Sequence, residues 1–175
     1  MLSSPDWFVE HARLGNMYHS CSTGAVTLST VSATCTGLVL SNPYGSRKKL
    51  VVAKCRFVPS TAPAGVAVVG LAISAAVSVT AVTHTTPAVI HNAIATGSNV
   101  DTGVGLVDSA ATLPAAPVWL RPISGVAAAS SITPGMYVDE TRGEIILPPG
   151  TNLSFSYLTT AAIGIAAFTW VEIDE

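Results

Sequence analysis

From Gly24 to the C-terminus the chain is written in short runs of β-branched and small apolar residues, separated by clusters of Gly, Pro, Asn, Asp and Ser; helical periodicity is nowhere sustained. The pattern predicts strands over Ala25–Val31, Gly37–Leu40, Leu50–Val58, Val66–Ile73, Ala76–Val82, Gly103–Ala110, Val118–Arg121, Met136–Val138, Glu144–Leu147, Asn152–Leu158 and Ile165–Ile173. Short strands punctuated in this way belong to a sandwich or barrel, and their number suits two packed sheets. Two turns are specified by their chemistry. Asn42-Pro43-Tyr44-Gly45 carries Pro and Gly where a type I turn prefers them. In Pro148-Pro149-Gly150-Thr151 the prolines end one strand and Gly150 permits a positive φ before the next.

Period 2 is clearest at the C-terminal end. Phe168, Trp170 and Glu172 point one way, and Ala167, Thr169, Val171 and Ile173 the other. Phe155 and Tyr157 alternate in the same manner in the preceding strand, so an aromatic contact across the two strands would register a C-terminal hairpin. Phe155, Tyr157, Phe168 and Trp170 are therefore the candidate core or subunit-interface residues. The segment Gly97–Gly105 is expected to be an exposed loop.

The first twenty residues read differently. Trp7, Phe8, Met17 and Tyr18 are interleaved with polar and charged side chains, which predicts an N-terminal arm over residues 1–20 ahead of a β-sandwich domain over 21–175. Aromatic and Met side chains concentrate binding energy at interfaces, so these four are candidate partner contacts. The competing expectation is that the arm folds back as an edge strand on its own sheet.

Composition sharpens this picture. At 175 residues one domain buries roughly 70% of its unfolded surface without staples. Only 10% of residues are charged, against about 25% in an ordinary domain, and a surface so poor in charge favours association. Between Arg56 and Arg121 the sequence carries only Asp101 and Asp108 as charges, although that span must contain loops, which suggests protein contact. The net charge is −2 and the one basic run is Arg47-Lys48-Lys49. Nucleic acid is not expected, because backbone binding needs a clustered basic surface. The uncharged run Val66–Val82 contains Ser74, Ser78 and Thr80 and falls short of the ~20 apolar residues of a bilayer helix, so no membrane is expected. The start of the chain lacks the basic and apolar regions of a secretory signal. Cys21, Cys35 and Cys55 match no zinc or redox spacing and read as apolar residues in a reducing compartment, where the Asn152-Leu153-Ser154 sequon would stay unmodified.

No catalytic group assembles. Ser46-Arg47-Lys48-Lys49 matches Ser-x-x-Lys, but it follows a turn instead of opening a helix. The carboxylates provide no telling pair: Asp139 and Glu140 adjoin Arg142 in a turn, and Glu172, Asp174 and Glu175 read as an exposed tail. His11, His19 and Cys21 are chemically suited to zinc but lack a fourth ligand. His84 and His91 fall in an apolar loop region, where structural histidines outnumber ligands. Neither an enzyme, a metal nor a cofactor is expected.

The phrase Gly37-Leu38-Val39-Leu40-Ser41-Asn42-Pro43-Tyr44-Gly45-Ser46, followed by Lys49-Leu50-Val51-Val52, resembles a pattern in small virion proteins of tailed bacteriophages. Ala111-Thr112-Leu113-Pro114-Ala115-Ala116-Pro117, Ile145-Ile146-Leu147-Pro148-Pro149-Gly150-Thr151 and Ala167-Phe168-Thr169-Trp170-Val171-Glu172-Ile173 look like the same group, the jelly-roll capsid decoration or cement proteins. The likeness spans residues 24–173. It implies an all-β, jelly-roll-like antiparallel sandwich, assembled as a homotrimer in the host cytoplasm. It implies attachment to the outer surface of the expanded virion head, at junctions between major capsid protein subunits. The alternative expectation is a virion-surface receptor- or carbohydrate-binding module, with loops such as Thr83–Asn99, and with Trp119 or His91, meeting the sugar.

Overall fold

The computed structural model describes residues 6–94, 103–126 and 135–175. Among these described residues one short helix, α1 (Trp7–Arg13), precedes thirteen strands: β1 (Met17–Cys21), β2 (Val26–Thr27), β3 (Thr34–Asn42), β4 (Lys48–Thr61), β5 (Ala67–Ile73), β6 (Thr83–Pro87), β7 (Ile90–Asn92), β8 (Leu106–Thr112), β9 (Val118–Val126), β10 (Tyr137–Asp139), β11 (Ile145–Leu147), β12 (Thr151–Thr159) and β13 (Ile163–Asp174). They form two antiparallel sheets. The first runs β10-β4-β13-β1-β7, with β11 also on β4 and β2 also on β13; the second runs β6-β8-β3-β12-β5-β9. The chain is an all-β sandwich, and β3 to β4, β4 to β5, β11 to β12 and β12 to β13 each change sheet. The expected C-terminal hairpin does not form: β12 pairs with β3 and β5, β13 with β4 and β1, and the aromatic contact between them runs across the core from sheet to sheet.

The core is the alternation made solid. Leu38, Leu40, Val69, Leu71, Leu153 and Phe155 of one sheet meet Leu50, Val52, Phe57, Phe168 and Trp170 of the other, all buried. Phe155 and Phe168 have ring centroids 4.9 Å apart, and Phe57 lies 6.4 Å from Phe155. Each such side chain contributes about 1.5–3 kcal/mol by leaving water. A register shift opposite Thr169 and Trp170 leaves Ala53 as an extra residue on β4. Such a bulge resets the strand's parity, which lets Leu50 and Val52 before it, and Cys55 and Phe57 after it, all join the core.

Three further expectations are corrected. Residues 17–20 are not part of a free arm: β1 lies between β13 and β7, inside the first sheet. Its alternation explains this, since Tyr18 turns inward to stack on Trp170 with centroids 5.9 Å apart while Met17 turns outward into a small cluster with Val51 and Val171. Residues from α1 onward therefore belong to the sandwich, and the boundary at 20/21 divides no structural unit.

The run Ala76–Val82 is a loop, not a strand. Two backbone bonds strap it to the start of β12 and the turn before that strand: Ser74 N–H donates to the Asn152 carbonyl at 3.0 Å, and Ser78 N–H to the Gly150 carbonyl at 2.9 Å. Val82 then packs on the outer side of the second sheet, against Cys35, Val39, Ala111 and Leu113. The strand falls instead at Thr83–Pro87, within a stretch expected to be loop.

The run Ala25–Val31 keeps only two strand residues, β2. Ser29 diverts the backbone: its hydroxyl accepts the Thr36 N–H at 3.1 Å and its own N–H donates to the Thr36 carbonyl at 3.0 Å. Most of the loop expected over Gly97–Gly105, and the end of Thr83–Asn99, lie outside the described residues.

Candidate functional site

The outer face of the first sheet is only partly covered. Phe8 and Ala12 of α1 pack over Met17, Val51, Val171, Ala93 and Ile173. The helix holds this position because the Asp6 carboxylate accepts the Phe8 N–H at 2.9 Å, an N-cap. Beyond the helix the face opens into a groove of about 680 Å³. Trp7, Phe8 and Met17 form its apolar wall, and His19, Thr169, Lys54 and Arg56 its polar side. On the far rim Glu140 receives Lys54 at 2.9 Å and Arg142 at 3.1 Å. The Lys54 and Arg142 partners hold the Glu140 carboxyl below its usual range. His19 Nδ1 lies 3.0 Å from Thr169 Oγ1. Burial, then Arg56 and His91, pushes its pKa down, so the ring is held neutral.

The sequence-predicted contact residues are divided by this geometry. Trp7 is 45% exposed and stands at the groove. Phe8 is half-buried under the helix. Met17 and Tyr18 are buried within the chain, so they are structural side chains and not arm anchors, and deletion of residues 1–20 would remove a central strand along with any contact. Phe155, Phe168 and Trp170 lie in the core, with Tyr157 half-buried against it. The structure does not bring Trp119 and His91 together: Trp119 lies on Gly70 of the second sheet, whereas His91 pairs in register with His19 in the first.

A second surface stands at one end of the second sheet. Gly150, with φ +81°, lets the β11–β12 turn fit beneath the loop, where a Cβ would meet the Ser78 carbonyl, Val77 and Tyr44. The loop tip then carries Val77 and Val79 at 58 and 74% exposure, with Tyr44 of the β3–β4 turn beside it at 61%; the loop itself lies in a run without Asp, Glu, Lys or Arg from Pro59 to Val100. No family model, curated protein or solved structure matches the chain.

Two buried carboxylates escaped the sequence reading. Glu172, read as part of an exposed tail, is 4% exposed; its oxygens accept the N–H groups of Val104 and Gly105 at 2.9–3.0 Å and the Trp170 indole N–H at 3.3 Å. Its place on the inward side of the β13 alternation was the available signal. Asp108 is fully buried and accepts His84 Nδ1–H at 2.6 Å. Only the β6–β8 pairing brings the two together, 24 residues apart. Among the described residues no hydroxyl or thiol bonds the other ring nitrogen of His84; the pair ties β6 to β8. His11 lies against Trp7 with centroids 4.2 Å apart, away from a common centre with Cys21; among the described residues no three His, Cys, Asp or Glu side chains are grouped for a metal ion.

Proposed function

We propose that this chain is a capsid decoration protein, a non-enzymatic cement that assembles as a homotrimer and binds the major capsid protein on the outside of an expanded phage head. The observation that carries the reading is the apolar patch made by Val77 and Val79 on the uncharged loop and Tyr44 on the adjoining β3–β4 turn, all more than half exposed. Clustered apolar surface of that kind marks a contact site in soluble proteins. It is backed by a core of close-packed aromatics and by the straps at Ser74 and Ser78, so it is presented on a rigid body and little ordering entropy is lost on docking. A cluster of such bodies engaging several shell subunits gains effective concentration with each added contact. The sequence resemblance to jelly-roll decoration proteins supports the same reading.

The test is cosedimentation of the purified protein with expanded capsids that lack it, with native mass recorded in the same sample. Saturable binding by a trimer, and a shell that resists heat better when decorated, are expected. A stable monomer that leaves the shell's heat resistance unchanged would overturn the reading.

A further inference from the structure

The groove beside α1 lies on the sheet opposite the loop tip and is left open by a contact made there. Its size is that of a small-ligand site, which runs to roughly 300–1,000 Å³, and its lining is split by chemistry. The indole of Trp7 and the ring of Phe8, packed edge to face with centroids 4.9 Å apart, form an aromatic wall. Opposite stand Arg56, Lys54, His19 and Glu140.

Arg56 is the residue without an internal explanation. Its cross-strand neighbours are Ala167 and Val138, which offer no acceptor, and among the described residues it makes no ion pair, whereas Lys54 and Arg142 share Glu140. A half-buried guanidinium facing an open groove presents a planar fork suited to a carboxylate. The charged groups lining the groove are Lys54, Arg56 and Arg142 against Asp6 and Glu140, which leaves a single positive charge.

We propose that this groove binds a saccharide bearing one carboxylate, of the uronic or sialic acid class; the inference goes beyond the capsid reading and does not rest on it. The carboxylate sits on Arg56. The apolar face of the sugar ring lies on Trp7, and its hydroxyls reach Glu140, an acceptor, and the ring nitrogen of His19 not engaged by Thr169. A doubly charged phosphate fits less well, because Asp6 and Glu140 repel its second charge. A fatty carboxylate fits less well too, since the groove is open and polar on one side where an acyl chain needs apolar enclosure.

The experiment is calorimetry and NMR on the full chain with sialyllactose and a glucuronate-terminated disaccharide, against lactose as the uncharged comparator. At least one acidic sugar is expected to bind about tenfold or more tighter than lactose, the scale of one charge-assisted contact, and to shift the Trp7 indole N–H. Arg56→Gln is expected to bring the acidic sugar down to the lactose affinity, and Trp7→Ala to weaken both. The proposal is overturned if neither acidic sugar binds, if lactose binds equally well, or if Arg56→Gln keeps the preference for acid. Should Arg56→Gln fail to fold, the acid-to-neutral ratio and the Trp7 shift in the unmodified protein still decide.

Discussion

The two carboxylate oxygens of Glu172 lie 3.0 and 2.9 Å from the backbone nitrogen of Val104, whose N–H they accept. The bond joins the last strand to the segment that leads into β8, so a residue three places from the C-terminus organises the far side of the sandwich. An amide at this position keeps one acceptor and turns its NH₂ toward the N–H groups of Val104 and Gly105. Glu172→Gln is therefore expected to destabilise the fold by about 2 kcal/mol, the scale of a lost charge-assisted bond with an opposed donor. Urea denaturation measures this, and an unchanged midpoint would count against the clamp.

His84 and Asp108 make a comparable link between β6 and β8. His84→Ala leaves the fully buried Asp108 carboxylate without its donor, and its other oxygen already lacks a partner. Because the histidine is partly exposed, water can replace some of the loss, and about 2 kcal/mol of destabilisation is expected, below the range for a wholly buried pair. Faster amide exchange confined first to β6 is the local signature to measure.

Gly70 is required by packing. A Cβ there would overlap the Arg121 carbonyl oxygen of the neighbouring strand and the six-membered ring of Trp119. Gly70→Ala should cost about 3 kcal/mol, the upper range of overpacking, read as a lowered thermal midpoint. Adding Trp119→Ala relieves only the ring contact, so partial recovery is expected.

Acid should weaken the fold through two groups. The depressed pKa of His19 means that, below its ordinary 6.5, the unfolded chain takes up a proton that the folded ring resists. Its contribution is full above that value and is lost as pH falls from it toward the folded pKa. Glu140, also depressed, contributes above its ordinary 4.5 and loses that contribution on further acidification. Urea midpoints at about pH 7.5 and about pH 5.5 should differ in the natural chain and converge in His19→Gln; equal slopes in both would remove His19 from the account.

The loop tip gives a prediction in which fold and assembly separate. Val77 and Val79 are solvent-facing, so Val77→Asp and Val79→Asp should leave stability within about 0.5 kcal/mol, as exposed positions do. Capsid occupancy in cosedimentation should fall at least about tenfold, one unfavourable charge desolvated against an apolar partner. Full occupancy with both changes in place would move the contact elsewhere.

The class of the fold was legible because side-chain alternation is a local property. Phe168, Trp170 and Glu172 had to share a side of any strand drawn through them, and Asn42-Pro43-Tyr44-Gly45 had to turn. Most strand positions followed from such runs. Pairing is not local. Tyr18 reads as an arm residue until Trp170, 152 positions away, supplies the ring it stacks on, and that contact turns residues 17–21 into a central strand. The same β propensity written in Ala76–Val82 is overridden by the backbone bonds at Ser74 and Ser78, which only the nearness of β12 makes available. The groove is the clearest case: Trp7, His19, Arg56, Glu140 and Thr169 span nearly the whole chain, and no spacing among them signals a site. Sequence alone determined that the chain builds two faces of apolar side chains. The tertiary structure decided which strands lie side by side, and hence which cation was left facing an open groove, because that depends on long-range register and on what each neighbour can accept.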